Sequence, residues 1–271
     1  MNHFKLIALD MDGTLLTTQE TILQETITDL KSAVAIGKTV VLCTGRGILE
    51  LEEYRELLSY VRYAITLSGA LVYDFGENRC LLLHSIPHAV SLEVTRIAEA
   101  HDAMVHLYTE HELIVDRAHL DQIDTYHISG YGIFLRRHAK IIENVRTELP
   151  LLKCLPKINI FFHTEMDRQS SLEKLTSLPL SISRADGLAL ELSPKYVTKG
   201  SGLQFLARYL QIPIEDTIAV GDSDNDRHVL ETAGLSVAMG NAEADILQLA
   251  DFVTSDNDHN GAGEAIRKHL F

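Results

Sequence analysis

The sequence predicts an α/β protein: a Rossmann-like, doubly wound parallel sheet that carries an inserted second α/β domain. Three observations predict it. Short apolar runs alternate with amphipathic helical stretches over about residues 4–75 and again over about 190–271, the pattern of strand–helix units around a parallel sheet. Polar loops at Asp10, Thr44 and Asp222 each follow such a run, and open α/β sheets bind ligands at the carboxyl ends of their strands. The stretch between, about 83–187, keeps the alternation but has no acidic cluster at its strand ends.

In chain order, Leu6–Leu9 reads as a core strand running into the loop Asp10–Thr14. A helix follows with Leu23, Ile27, Leu30 and Val34 on one face. Thr21 and Gln24 have the spacing of a capping box for it, and Gly37 ends it. Strand Thr39–Cys43 leads into Thr44-Gly45-Arg46. A helix then groups Leu51, Tyr54 and Leu58, and strand Ala64–Leu67 closes the series. The middle reads as a helix around Ser91–His101, strands Met104–Tyr108 and Leu113–Val115, a helix over Ala139–Leu149, a strand Ile158–His163 and a helix around Arg168–Leu175. The last stretch has a helix bearing Leu203, Leu206 and Leu210, then strands Thr217–Val220, Ser236–Met239 and Asp251–Thr254. The expected division is residues 1–82 and 188–271 for the core, 83–187 for the insertion.

Composition narrows the function classes. The 271 residues are 46% hydrophobic and 23% charged, ordinary for a chain with a sizeable core. The formal charge of −14 argues against nucleic acid or an anionic membrane as a partner, since both need a basic face. No apolar run approaches the ~18 residues of a membrane span. Three scattered cysteines without a CxxC suggest neither a disulfide framework nor a thiolate zinc site. With no secretory signal at the N-terminus, a cytoplasmic location is expected. Oligomeric state is not readable.

Four elements carry chemistry. Asp10-Met11-Asp12-Gly13-Thr14 sets two carboxylates two residues apart after a strand. On an extended backbone both would project to one side, with Gly13 permitting a sharp departure. Such a pair can bind a hard divalent cation, or split into one ionised and one protonated acid. Gly221-Asp222-Ser223-Asp224-Asn225-Asp226 is a second cluster of oxygen ligands suited to Mg²⁺ or Ca²⁺. Counted from Asp222, a calcium loop fails at Arg227 and Ala233. Asp256–Gly261 fails at Arg267 and reads as a polar turn. Thr44-Gly45 offers a hydroxyl and backbone N–H groups at a helix start, an anion cradle or a plain N-cap. Lys199 opens a helix, where the dipole disfavours a cation unless a phosphate or carboxylates offset it. His106, His111 and His127 are candidate substrate contacts in the insertion. Val115 excludes a His-Glu-x-x-His zinc helix beginning at His111.

In this order the four elements resemble the haloacid dehalogenase superfamily of phosphohydrolases. Asp10–Leu15 (DMDGTL) is similar to its first motif, Thr44 to its second, Lys199 to its third and Gly221–Asp226 (GDSDND) to its fourth. Glu191–Gly200, Val237–Ala242 and Ala250–Gly261 resemble its Cof-type sugar-phosphatase subfamily. The middle resembles the family's cap only in size and alternation. Three departures are Ser68 in Ser68-Gly69-Ala70 where Asn is usual, His228-Val229-Leu230, and Gln248 near a common lysine position.

The resemblance implies a Mg²⁺-dependent phosphatase of small phosphorylated metabolites. Asp10 would be the nucleophile that becomes an aspartyl-phosphate, and Asp12 the acid, then the base. Asp10, Asp222 and the backbone carbonyl of Asp12 would hold Mg²⁺, with Asp226 behind them. Thr44, the Gly45 backbone, Lys199, Asn225 and the Met11 N–H would bind phosphate oxygens. Competing readings are a phosphomutase or phosphotransferase on sugar phosphates, a receiver-like phospho-switch, and an idle metal-binding protein. The inserted ~105 residues and the second acid Asp12 speak against a receiver, roughly one domain long.

Overall fold

The computed structural model describes residues 3–185 and 187–271. The chain divides into two compact units. One comprises Met1–Arg46, Leu51–Leu82 and Val197–Phe271, the other Gly47–Glu50 and Leu83–Tyr196.

The first unit is built on an eight-stranded sheet: β1 (Leu6–Leu9), β2 (Thr39–Cys43), β3 (Tyr63–Thr66), β4 (Leu71–Asp74) and β5 (Arg79–Leu83) from the first stretch, β12 (Thr217–Gly221), β13 (Leu235–Ala238) and β14 (Phe252–Val253) from the last. Its order is β14-β13-β12-β1-β2-β3-β4-β5. Pairing is parallel from β14 to β3, while β3 and β4 are antiparallel. From β1 the chain winds outward through β2 and β3, and from β12 outward the other way. The β1/β12 boundary is therefore a switch point, the place where open α/β sheets bind their ligands.

Strand alternation sorts the core into two layers. Ile7, Leu9, Leu42 and Val220 face Ile27 and Leu30 of helix Gln24–Ala35 and Ile266 of helix Gly261–His269. Leu6, Ala8, Val41 and Ala219 face Leu203 and Leu206 of helix Lys199–Tyr209. A sheet buried on both faces needs apolar side chains in both phases, so its strands read as unbroken apolar runs. The doubly wound expectation is borne out.

The second unit has a six-stranded sheet of order β10-β11-β9-β6-β7-β8. Its strands are β6 (Met104–Tyr108), β7 (Leu113–Asp116), β8 (Lys140–Ile142), β9 (Lys157–Phe161), β10 (Leu180–Ala185) and β11 (Ala189–Pro194). Val105, Leu107, Ile158, Ile160 and Leu192 form one face, with Val94 and Ile97 of helix His88–Glu99 and Leu175 of helix Glu165–Leu175. The alternate residues include His106, Lys157, Asn159 and Glu191, polar yet buried. Lys157 Nζ lies 2.7 Å from Glu191 Oε1.

Three expectations need correction. The predicted helix over 139–149 is instead β8 and a short helix Val145–Glu148, preceded by helix Gly132–His138. Strand β7 offers a parallel pairing edge to Lys140–Ile142, and the Asn144 side chain accepts the Arg146 N–H to start a new helix. The Thr21/Gln24 capping box does not form. Helix Gln24–Ala35 begins at Leu23 without a side-chain cap, and the Thr21 N–H is bound to Thr17 Oγ1. The expected division after residue 187 leaves β11 on the wrong side. It pairs with β9 and β10, and the first unit resumes only at Val197.

Asp74, at the end of β4, is fully buried. It accepts two bonds from the Arg62 guanidinium, Nε at 2.9 Å and Nη2 at 2.7 Å. The Arg62 hydrogen bonds, outweighing burial, hold its carboxyl below the usual range. A depressed carboxyl stabilises the fold above its unfolded pKa and loses that contribution as pH falls through its folded value. Asp74→Asn is therefore expected to lower Tm at pH 7. The gap to wild type should close as pH drops below the ordinary carboxylate range, as thermal melts across pH will measure.

Candidate active site

The site lies in the first unit, where β1, β2 and β12 end. The parallel register places Leu9 beside Leu42 and Val220, so the loops after all three strands leave the same edge. The Asp10 N–H bonds the Val220 carbonyl at 3.0 Å, which fixes the Asp10 backbone against β12.

Lys199 is the centre. Its ammonium has three protons to donate, and three protein oxygens accept: Asp10 Oδ1 at 2.6 Å, Asp226 Oδ1 at 2.7 Å and Asn225 Oδ1 at 2.9 Å. Lys199 is 1% exposed. Burial alone would lower its pKa, but the Asp10 and Asp226 charges outweigh it and hold it well above the ordinary lysine value. These carboxylates also offset the unfavourable helix dipole, as the sequence reading required. Thr198 caps helix Lys199–Tyr209 in a box with Ser201, which fixes where Lys199 begins.

The acids outnumber the lysine. Oxygens of Asp10, Asp222 and Asp226 lie within 4.8 Å of one another. Burial first, then the Asp226 charge, pushes Asp10 well above the usual carboxylate range, and Lys199 offsets this only in part. The same two causes bring Asp222 to about 7, against the opposing Thr14 hydroxyl and Lys199. Thr14 Oγ1 donates to Asp222 Oδ1 at 2.8 Å. Asp226 is tied behind, its Oδ2 accepting the N–H groups of Asp222 and Ser223 at 3.0 and 3.3 Å. An all-oxygen set with surplus negative charge fits a hard cation.

Asp12 departs from the same-side expectation. Residues 11–15 form a kinked turn whose backbone is non-helical at Asp12 (ψ 124°) and Gly13 (φ +72°), and the two acids separate. Asp10 is 4% exposed and faces Lys199. The Asp12 carboxylate is half exposed and faces Arg46, with Nε at 3.0 Å and Nη2 at 2.6 Å. Gly13 is required twice. Its φ is left-handed, and a Cβ there would fall 2.4 Å from Asp222 Oδ2.

The Thr44 loop is less open than an anion cradle would be. The Thr44 hydroxyl accepts the Arg46 N–H at 3.1 Å, and Glu50 Oε2 accepts the Gly47 N–H at 2.6 Å. Asn225 turns its carbonyl to the lysine, which can only donate, and so its amide nitrogen turns away. Met11 is buried, its carbonyl bound by the Leu16 N–H at 2.8 Å. In the second unit, burial takes His106 down to about 3. His111 is exposed beside Glu110, and His127 Nε2 bonds the His163 carbonyl at 3.1 Å.

Two supports escaped the sequence reading. Asn241 Nδ2 donates to the Gly13 carbonyl at 2.8 Å, and its Oδ1 accepts the Asn257 N–H at 3.0 Å. Asn241 lies in the Val237–Ala242 stretch that resembles the Cof-type group, the one signal that could have found it. The second support is the turn Leu67-Ser68-Gly69, three successive residues at positive φ. Leu67 N–H bonds the Arg46 carbonyl and Ser68 N–H the Thr44 carbonyl, at 3.0 and 3.1 Å. Gly69 touches the backbone where helix Lys199–Tyr209 begins, and a Cβ there would sit 2.0 Å from the Thr198 carbonyl oxygen. The turn thus spans from the Thr44 loop to the lysine.

Fold and site define a class. The family model described as haloacid dehalogenase-like hydrolase matches residues 7–266, and this chain belongs to that family, as the sequence resemblance led one to expect. Phosphatase YwpJ of Bacillus subtilis is 30% identical, over 98% of this chain and 99% of the relative. The HMP-PP phosphatase of Serratia proteamaculans is 30% identical over 88% and 85%. A solved sugar phosphatase of HAD subclass IIB superposes with a TM-score of 0.82 at 25% identity, covering 97% of this chain and 98% of that one. Among the described residues no helix is long and apolar enough to cross a membrane.

Two stability outcomes follow from this packing. Lys199→Met leaves buried carboxylates without their cation and should cost about 3 kcal/mol in metal-free denaturant titrations. Gly69→Ala combines backbone strain with a backbone clash and should cost about 2 kcal/mol or more in the same titrations.

Proposed function

We propose that this protein is a Mg²⁺-dependent phosphatase of small phosphorylated metabolites, working through an aspartyl-phosphate on Asp10. One observation carries the reading: a buried aspartate at the end of β1, aimed by a buried lysine and grouped with two further carboxylates. The names of the relatives, an HMP-PP phosphatase and a sugar phosphatase, support the substrate class.

The metal is assigned to Asp10, Asp222 and the Asp12 backbone carbonyl, with Asp226 orienting Lys199 from behind. Bound there, Mg²⁺ would neutralise the carboxylate surplus and the phosphoryl charge. The chain's own groups then divide the work. Asp10 Oδ attacks phosphorus as the ester P–O bond breaks, and Asp12 gives its proton to the departing oxygen. Water next loses a proton to Asp12 and attacks phosphorus, releasing phosphate and restoring the Asp10 carboxylate. Thr44, the Gly45 backbone, the Met11 N–H and the outward amide of Asn225 are assigned to the phosphoryl oxygens. All three Lys199 protons already have protein acceptors, so contact with phosphate requires exchange of one of them. Its first task is to aim Asp10.

Asp10→Asn should retain the fold by circular dichroism and lose turnover by more than about a thousandfold in a phosphate-release assay over phosphorylated metabolites with Mg²⁺. Near wild-type release would overturn the nucleophile assignment. EDTA should stop release and added Mg²⁺ restore it; activity that survives exhaustive chelation removes the metal.

A further inference from the structure

Arg46 has no part in the chemistry above, yet it is fixed on every side. Its guanidinium carbon lies 5.5 Å from the centre of the Tyr54 ring, and the Tyr54 hydroxyl donates to the Glu20 carbonyl at 3.3 Å. Its N–H is taken by Thr44 Oγ1, and its carbonyl accepts the Leu67 N–H from the left-handed turn. Its front edge forks onto both oxygens of Asp12. The arginine side chain is 18% exposed and that of Asp12 54%.

A half-exposed aspartate on a short turn has freedom to change rotamer. A planar fork on both its oxygens removes that freedom, and an aromatic ring behind the guanidinium keeps the fork in place. We infer that Arg46 is a positioning residue that fixes the Asp12 carboxyl for proton transfer to the leaving oxygen. The inference rests on the reading of Asp12 as the acid. A protonated Asp12 keeps one oxygen as acceptor for the fork and turns its O–H away from it. The proton moves from Asp12 to the ester oxygen as the P–O bond breaks, and later from water back to Asp12. Arg46 neither gives nor takes it.

The test compares two esters of similar shape, p-nitrophenyl phosphate and phenyl phosphate, with Mg²⁺. p-Nitrophenolate departs without a proton, and phenolate depends on one more. Arg46→Ala should lower kcat/KM for phenyl phosphate about tenfold more than for p-nitrophenyl phosphate, a fraction of a full acid contribution. Both esters meet the same enzyme sample, so the ratio is independent of how much of it is folded. Arg46→Lys, which keeps the charge without the fork, should show the same bias. Asp12→Asn should show it more strongly, and adding Arg46→Ala to it should not increase it. Equal losses on both esters in Arg46→Ala, with the bias present in Asp12→Asn, overturn the role of Arg46 alone. Absence of the bias in Asp12→Asn, or no Mg²⁺-dependent release by wild type, overturns the reading of the acid and this inference with it.

Discussion

The site depends on one buried ammonium. Lys199 has left water entirely, and a lone charge so placed would be too costly to persist. It is tolerated because three oxygens from two distant loops accept its three protons. The converse also holds. Asp10 and Asp226 are buried as well, and the ammonium is the cation that both of them face. The ammonium therefore joins the loop after β1 to the loop after β12, across the boundary where the sheet reverses its winding. Site geometry and folding stability are one network in this unit.

That network carries an imbalance. Three carboxylates face a single cation, and burial raises Asp10 and Asp222 rather than lowering them. A structural ion-pair cluster would be neutral or would spread its charges toward solvent. A surplus held in the interior is the arrangement expected where an external divalent cation completes the set. Asp12, the acid of the proposed reaction, is held apart from it. Asp12 sits outside, on its own arginine, because the chain leaves the extended conformation of β1 at residue 11.

Backbone devices make the close approach possible. Asp222 can lie against the first loop only where residue 13 has no Cβ. The helix that presents Lys199 can meet the turn after β3 only where residue 69 has none. Leu67 and Ser68 accept left-handed conformations that cost energy, and in return that turn bonds the Arg46 and Thr44 carbonyls.

The sequence by itself determined the strand–helix alternation and the doubly wound class, and it singled out Asp10, Thr44, Lys199, Asp222, Asn225 and Asp226 as candidate site residues. Apolar periodicity and motif chemistry are local properties, and both survive in a linear reading. Tertiary structure decided what is non-local. Strand β11 lies in a stretch that reads as core, yet it pairs with β9, because pairing depends on which edge is available and not on composition. Residues 140–142 became a strand for the same reason. Asp10 and Asp12 parted because the chain leaves the extended strand conformation at residue 11, between them, a backbone change unreadable from residue type alone. The partnership of Arg46 with Asp12 and the burial of Lys199 among its acceptors required residues 34 and up to 189 positions apart to meet, and only the packed sheet brings them together.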